Sequence, residues 1–299
     1  MSISQLEVPG GTIAYEVHDP SGPGAGFSTP SRPFVICSPA MGDVRDAYDP
    51  LVRSLVEAGF RVAVTDLRGH GDSSATFTDY GDEATAADLV ALIEALDAGP
   101  AILVGASMSG AAAVIAAGRR PDLVRGLVLI CPFLRGPGSR VEAFLQRAVL
   151  GLALLRPWGP ALWNSYSARL WPALPDARQR AARLVSLLRR PGRWRAFWAT
   201  TRTDHRVVAP WMDKVDSSVL VVMGEDDPDW KDPEAEATWV ARAVGGEPGE
   251  RAEVMMVPAA GHAPMLERPD VVGPRVVDFL GHIVSDADIS RPVGERRGE

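Results

Sequence analysis

Cysteine and lysine each occur only twice in this chain of 299 residues. No group of cysteines and histidines has the spacing of a metal site, and we expect neither a metal nor a cofactor. Cys37 and Cys131 both lie in apolar runs, FVIC and GLVLIC. Because free cysteine behaves as a small buried hydrophobe, the sequence favours two buried thiols over a disulfide or a reactive site.

Long apolar runs are also missing. A membrane-spanning helix requires roughly 20 predominantly apolar residues, and no stretch of the sequence approaches this. The first residues, MSISQLEVPGG, carry neither the basic nor the apolar region of a signal peptide. We therefore expect a cytoplasmic protein with no membrane span. The net charge of −7 argues against nucleic acid as a partner.

The overall composition, with 46% hydrophobic and 23% charged residues, is close to that of an average globular protein. It excludes a disordered chain, a collagen-like repeat and a coiled coil. A chain of this length can bury the core of one large domain, or of one domain that carries an insert.

Positive charge and tryptophan are concentrated in one part of the chain. Residues 135–206 contain 14 arginines and three acidic residues, so their net charge is +11, whereas the rest of the chain carries −18. They also contain five of the eight tryptophans: Trp158, Trp163, Trp171, Trp194 and Trp198. We call residues 135–206 the Arg/Trp-rich segment and predict that it is an inserted module.

Outside this segment, short apolar runs alternate with longer stretches rich in alanine and leucine. This alternation is typical of strands joined by crossover helices in a mostly parallel sheet. The sequence therefore predicts an α/β core formed by residues 1–134 and 207–284, interrupted by a helical insert at 135–206. The polar residues 285–299 are expected to form a flexible tail.

A candidate nucleophile follows the strand-like run AILVG at residues 101–105. Ser107 comes next, two residues after Gly105 and two before Ser109, and an Ala-rich helix begins behind it. A serine on a sharp turn between a strand and a helix, with small residues at those two places, is the pattern of a nucleophile elbow. Ser109 stands where the usual motif has glycine.

Together with this elbow, three further segments resemble the α/β-hydrolase superfamily, in its serine-nucleophile esterase, lactonase and cofactor-free haloperoxidase-like branch. They are RVAVTDLRGHGDSS at 61–74, VLVVMGEDDPDW at 219–230 and VPAAGHAPMLERPD at 257–270. The resemblance implies the α/β-hydrolase fold, a mostly parallel central sheet flanked by helices, with a helical cap formed by the insert. In the first segment it implies scaffold roles for Asp66, Arg68 and Asp72.

The same resemblance implies a catalytic triad. Ser107 is the nucleophile and His262 the base, and Asp227 is the acid that orients the base, with Asp226 as the alternative. The chain order of serine, aspartate and histidine is that of the α/β hydrolases. A serine hydroxyl needs such partners because it is a weak nucleophile until an imidazole accepts its proton.

The oxyanion loop departs from the family pattern. Many members have His-Gly after the early strand, whereas here FVIC is followed by Ser38, Pro39, Ala40, Met41 and Gly42. Proline has no backbone N–H to donate. We predict that the N–H groups of Ala40 and Met108 form the oxyanion hole, with Met41 as a further possible donor. The neighbouring Asp43 either contacts the substrate or caps a helix.

The resemblance thus implies a serine hydrolase that cleaves an ester, lactone or thioester through an acyl-enzyme intermediate. The tryptophans of the insert favour a bulky apolar or aromatic small-molecule acyl substrate. The arginines either form a solvated face or attract an anionic substrate or an acidic carrier protein. The alternatives are a C–C bond hydrolase or lyase of the same fold, and a non-catalytic protein that retains the ligand pocket.

Overall fold

The computed structural model describes residues 2–20, 33–136, 138–246 and 250–290. Its centre is an eight-stranded sheet with the strand order β1-β2-β4-β3-β5-β6-β7-β8. The strands are β1 (Ser4–Val8), β2 (Gly11–His18), β3 (Val35–Ser38), β4 (Val62–Thr65), β5 (Ala101–Ala106), β6 (Val124–Ile130), β7 (Ser218–Gly224) and β8 (Ala252–Val257).

The sheet is mostly parallel, as the sequence predicts. β1 and β2 pair antiparallel, β2 pairs antiparallel with β4, and the pairs from β3 to β8 are parallel. Every residue of β3, β4 and β5 is buried. Strands covered by helices on both faces need apolar residues at successive positions, which explains the uninterrupted apolar runs of the sequence.

Helices flank the sheet. The helix at 82–95 packs against the helix at 108–119, and the helix at 49–57 packs against the helix at 269–290. The helices of the core are α1 (Asp49–Glu57), α2 (Asp82–Ala95), α3 (Met108–Arg119), α8 (Ala209–Met212), α9 (Pro233–Gly245), α10 (Pro264–Glu267) and α11 (Pro269–Ser290). Among the described residues, no helix combines the length and the apolar character needed to cross a membrane.

The Arg/Trp-rich segment is helical. Its helices are α4 (Arg140–Ala153), α5 (Gly159–Ser167), α6 (Ala177–Leu188) and α7 (Arg193–Thr200). Trp163, Trp194 and Phe197 form a small buried cluster of their own, separate from the main core, with Leu154 and Leu188. Part of the tryptophan content therefore serves packing within the segment.

The end of the chain differs from the sequence expectation. α11 continues through Ser290, so residues 285–290 are helical where a flexible tail is expected. Ile283 is buried, and its side chain lies close to Gly126 of β6. Since a helix extends easily from a turn that is already formed, this anchor explains why the polar residues behind it stay helical. Residues 291–299 lie outside the described residues.

Candidate active site

A cavity of about 820 Å³ lies between the core and the Arg/Trp-rich segment. Four of the five residues predicted for the site contribute to its walls: Ser107, His262, Ala40 and Met108. The Arg/Trp-rich segment contributes large apolar side chains to the walls, and it also contributes Arg135, Arg147 and Arg169. The apolar side chains are Leu150, Leu154, Leu162, Trp163, Leu170 and Trp171. The predicted acid, Asp227, is 2% exposed.

The fold brings these residues together because each follows a strand. Ala40 comes two residues after β3, Ser107 directly after β5, and Asp227 three residues after β7. His262 comes five residues after β8. The carboxyl ends of parallel strands meet at one edge of a sheet, which is where ligands bind in α/β folds.

Ser107 lies on a strained turn. Its backbone has φ +56° and ψ −121°, a region that residues other than glycine rarely adopt. Its N–H donates to the carbonyl of Ile130 at 2.8 Å, and its own carbonyl accepts from Gly110 N–H at 3.0 Å. These hydrogen bonds hold the turn between β5 and α3. A side chain at position 105 would clash with the carbonyl of Ser109, so the elbow requires Gly105.

The side chain of Ser109 has different surroundings from that of Ser107. It is completely buried, and its Oγ is 2.6 Å from the carbonyl oxygen of Pro39 and 2.9 Å from Oγ of Ser38. Its hydroxyl is thus occupied inside the protein, whereas Ser107 lines the cavity. This arrangement favours Ser107 over Ser109 as the reactive serine.

Asp227 orients His262. The imidazole Nδ1 donates to Oδ2 of Asp227 at 2.8 Å, and Oδ1 of Asp227 accepts the N–H of Asp229 at 3.0 Å. Asp226, the alternative acid, is exposed, and its backbone N–H donates to the carbonyl of Ala260. Of the two adjacent carboxylates, the structure brings Asp227 to the histidine.

The charges of this pair stabilise one another. Burial alone would lower the pKa of His262, but the carboxylates of Asp227 and Asp229 raise it to about 9. Burial alone would raise the pKa of Asp227, yet the charge of His262 and the hydrogen bonds hold it below its usual value. With this pKa the imidazole is mostly protonated at neutral pH, and only its neutral fraction can act as a general base.

Two further residues near His262 are not evident from the sequence. Oδ2 of Asp229 is 3.5 Å from Nδ1 of His262, and the hydroxyl of Tyr166 on α5 donates to Oδ1 of Asp229. Asp229 lies in the segment that the family resemblance singles out, two residues after Asp227. Tyr166 is 63 positions away from Asp229 and has no local signal.

The loop that carries His262 is braced by a buried carboxylate. Glu267 accepts the N–H groups of Gly261 at 3.0 Å, of Ala263 at 3.1 Å and, from the Arg/Trp-rich segment, of Ala173 at 3.0 Å. The backbone N–H of His262 donates to the carbonyl of Leu170 at 2.7 Å. The segment therefore helps to hold the base in position.

The oxyanion loop is firmly anchored on both sides of Ala40. The hydroxyl of Tyr48 donates to the carbonyl of Ser38 at 2.7 Å, and the N–H of Gly42 donates to Nε2 of His70 at 3.0 Å. Burial lowers the pKa of His70 to about 4, so its ring is neutral and Nε2 can accept. In the described part of the chain, the N–H of Ala40 donates to no protein acceptor. Met108 opens α3, where a first-turn N–H has no partner within the helix.

Asp66 and Arg68 make structural contacts around the turn after β4. The carboxylate of Asp66 accepts the backbone N–H groups of Arg45 and Asp72 at 2.8 and 2.9 Å. Arg68 makes a two-pronged ion pair with Asp88 at 2.7 and 2.8 Å. These contacts hold the turn after β4.

Asp43 binds the Arg/Trp-rich segment. Its carboxylate accepts from the guanidinium of Arg180 on α6 at 2.5 Å and from the N–H of Val44 at 2.8 Å. Asp46 pairs with Arg180 and also with Arg183, at 3.0 and 2.5 Å. The carboxylate of Asp43 thus serves as an anchor for the segment and caps no helix.

Other arginines of the segment also bind the core, through backbone carbonyls or a carboxylate. Arg193 donates to the carbonyls of His70 and Ser73 at 3.2 and 2.8 Å, and Arg135 pairs with Glu236. Arg135, Arg180, Arg183 and Arg190 thus pair with carboxylates of the core, which compensates part of the charge of +11.

One group near the site offers ligand atoms for a metal. A thiol of Cys131, a carboxylate oxygen of Asp227 and a ring nitrogen of His262 lie within 4.8 Å of one another. Nδ1 and Oδ2 face each other across a 2.8 Å hydrogen bond, which orients the imidazole instead of leaving both atoms for a cation. Burial raises the pKa of the Cys131 thiol. Cys37 and Cys131 are buried and unpaired, as expected.

Comparison with known proteins gives related hydrolases. The pimeloyl-[acyl-carrier protein] methyl ester esterase of Neisseria meningitidis is 30% identical over 250 residues, 80% of this chain and 89% of that protein. The sn-1-specific diacylglycerol lipase ABHD11 of Mus musculus is 40% identical over 101 residues, which is 33% of each chain. The enol-lactonase from Burkholderia xenovorans LB400 is 25% identical, with a TM-score of 0.70, over 93% of this chain and all of that chain.

The family model described as alpha/beta hydrolase matches residues 23–274. This range contains the elbow, the oxyanion loop and the residues that follow β7 and β8. The chain is therefore a hydrolase and belongs to the alpha/beta hydrolase family.

Proposed function

We propose that this protein is a serine hydrolase that cleaves an ester, lactone or thioester of a bulky apolar substrate through an acyl-enzyme on Ser107. The observation that carries the proposal is the strained turn of Ser107 at the wall of a cavity that also contains His262. Backbone strain of this kind persists where the surrounding structure enforces it, often at reactive sites. The 2.8 Å contact between His262 and Asp227 supplies an oriented base.

In the proposed mechanism, Oγ of Ser107 attacks the acyl carbon while Nε2 of His262 accepts its proton. Asp227 stabilises the imidazolium. The N–H groups of Ala40 and Met108 donate to the oxyanion of the tetrahedral intermediate. His262 then passes the proton to the leaving alcohol or thiol. A water molecule, deprotonated by His262, releases the acid from Ser107 in the second half of the reaction.

The cavity supports a bulky acyl group. Its volume of about 820 Å³ lies in the upper part of the range of small-molecule sites, roughly 300 to 1,000 Å³. The leucine and tryptophan side chains of its walls favour an apolar chain or ring, while Arg135, Arg147 and Arg169 offer positive charge in the same cavity. The relative named pimeloyl-[acyl-carrier protein] methyl ester esterase acts, by its name, on an acyl chain that a carrier protein bears.

An anionic substrate or an acidic carrier protein remains an alternative for the surface of the Arg/Trp-rich segment. In the described chain, Arg156, Arg189 and Arg195 are exposed and have no carboxylate partner. If these arginines attract the substrate, kcat/KM of an acidic ester should decrease as the salt concentration rises. Exposed charges are screened beyond about 8 Å at physiological ionic strength. Equal salt dependence for a neutral and an acidic ester of the same acyl group would remove this alternative.

A panel of p-nitrophenyl esters of increasing acyl length tests the proposal. We expect hydrolysis that favours longer acyl chains over acetate, and we expect Ser107→Ala to lower kcat by about 10⁴-fold to 10⁶-fold. Ser186→Ala, a change of an exposed serine on α6, is the matched control and should retain full activity. Undiminished hydrolysis by Ser107→Ala would refute the proposal. A folded wild type inactive on every ester would favour C–C cleavage, lyase chemistry or ligand binding instead.

A further inference from the structure

The two departures from the family pattern meet in the structure. Ser109 replaces the usual glycine of the elbow, and Ser38 and Pro39 replace the usual His-Gly of the oxyanion loop. Oγ of Ser109 lies 2.6 Å from the carbonyl oxygen of Pro39 and 2.9 Å from Oγ of Ser38. Both serines are buried, at 0% and 1% exposure. These contacts join the start of α3 directly to the oxyanion loop, across 70 residues of sequence.

The direction of these hydrogen bonds follows from the number of protons. A carbonyl oxygen can only accept, and a hydroxyl has a single proton to donate. Ser109 therefore donates to the carbonyl of Pro39 and accepts from the hydroxyl of Ser38. Its proton is fully used, and the bond to Pro39 lies among buried residues, where a donor or acceptor left without a partner is costly.

The carbonyl of Pro39 and the N–H of Ala40 belong to the same peptide group. A trans peptide is planar, so its C=O and N–H point in opposite directions. Holding the carbonyl of Pro39 therefore also sets the direction of the N–H of Ala40. This N–H is the predicted donor to the oxyanion, and Ala40 lines the cavity together with Ser107.

We propose that Ser109 is a positioning residue for the oxyanion hole. Its hydroxyl holds the Pro39–Ala40 peptide so that the N–H of Ala40 stays directed at the oxyanion formed on the acyl group of Ser107. This inference rests on the proposed function. The rest of the loop has other anchors, because Tyr48 holds the carbonyl of Ser38 and His70 holds the N–H of Gly42. Removal of the Ser109 hydroxyl therefore frees one peptide to rotate while the loop stays in place.

The test compares Ser109→Ala with Ser38→Ala. The first variant removes the donor to Pro39, whereas the second removes a buried hydroxyl that contacts Ser109 but not the carbonyl of Pro39. Loss of one oxyanion donor costs roughly 10²-fold to 10³-fold in kcat, so a donor that is misdirected part of the time should cost about 10-fold to 100-fold. We expect this loss for Ser109→Ala on a neutral p-nitrophenyl ester, with KM changed less than about threefold.

A second readout separates positioning from general damage to the structure. A trifluoromethyl ketone that forms a tetrahedral adduct with Ser107 should bind Ser109→Ala more weakly, by the same factor as the loss in kcat/KM. A planar ketone of the same shape, which has no oxyanion, should bind both forms equally. Ser109→Gly should behave like Ser109→Ala, and Ser109→Cys, which keeps a weak donor, should lie between them and the wild type.

Three results would overturn the inference. One is a kcat for Ser109→Ala within about threefold of the wild type, which is below the range expected for a donor. Another is an equal loss in Ser38→Ala and Ser109→Ala. The third is a loss of affinity for the planar ketone as large as that for the trifluoromethyl ketone. Failure of the proposed function is distinguishable, because Ser107→Ala would then keep the wild-type activity in the same assay.

Discussion

Asp229→Asn should lower the pH at which the enzyme becomes active. Oδ2 of Asp229 lies 3.5 Å from Nδ1 of His262 and helps to raise the pKa of His262 to about 9. At this distance two unit charges attract by about 1.2 kcal/mol even at the dielectric constant of water. One pKa unit corresponds to about 1.4 kcal/mol, so loss of the carboxylate should lower the pKa of His262 by roughly one unit.

The sign follows from the role of the base. Only the neutral imidazole of His262 can accept the proton of Ser107, so kcat/KM should rise with pH and level off above the pKa. The midpoint of this rise should lie near 9 in the wild type and near 8 in Asp229→Asn. The plateau of the variant should be lower, because a weaker base accepts the proton less readily.

The assay is the pH dependence of kcat/KM for a neutral p-nitrophenyl ester, corrected for spontaneous hydrolysis. Asparagine has nearly the size of aspartate and still offers an oxygen to the hydroxyl of Tyr166. Asp226→Asn, at an exposed carboxylate with no contact to His262, is the control and should leave the midpoint unchanged. A midpoint for Asp229→Asn within about 0.3 units of the wild type would show that the carboxylate of Asp229 does not act on His262.

Two further predictions concern the acid and the oxyanion loop. Asp227→Asn should lower kcat by roughly 10⁴-fold, because the imidazole loses its correct tautomer, and Asp226→Asn should have a small effect; the opposite ranking would transfer the role to Asp226. Burial lowers the pKa of His70 to about 4, whereas a histidine of the unfolded chain has a pKa of about 6.5. As the pH falls from 6.5 toward 4, protonation of the unfolded chain therefore removes stability that the neutral ring contributes at higher pH. The free energy of unfolding in urea should therefore decrease by about 3 kcal/mol over that interval, and His70→Gln should lack this part of the decrease; an identical slope in both proteins would contradict the neutral state of His70.

The strained elbow is evident from the sequence because its requirements are local. The elbow consists of consecutive parts: a buried strand, a serine with a glycine before it and a small residue behind it, and an Ala-rich helix. The glycine is needed because a side chain at position 105 would clash with the carbonyl of Ser109. The parallel sheet follows from the apolar runs for a similar reason. Two adjacent carboxylates, in contrast, have the same local signal. The family resemblance favours Asp227 over Asp226, and the contact of His262 with Asp227 agrees with that choice.

The sequence does not predict the contacts between distant parts of the chain. Tyr166 reaches Asp229 across 63 positions, and Arg180 reaches Asp43 across 137. Both contacts depend on how the helices of the Arg/Trp-rich segment pack on the core, and helical periodicity does not determine this. The net charge of +11 was visible in the composition, but its pairing with core carboxylates was not.

Ser107 is the nucleophile of the proposed reaction, and covalent labelling tests this role most directly. A fluorophosphonate reacts with a serine that a neighbouring base has activated, and fragmentation mass spectrometry locates the adduct. We predict a single adduct on Ser107, slower labelling of Asp227→Asn, and no labelling of Ser107→Ala. An adduct on Ser109 or on any other residue, or undiminished labelling of Ser107→Ala, would contradict the claim.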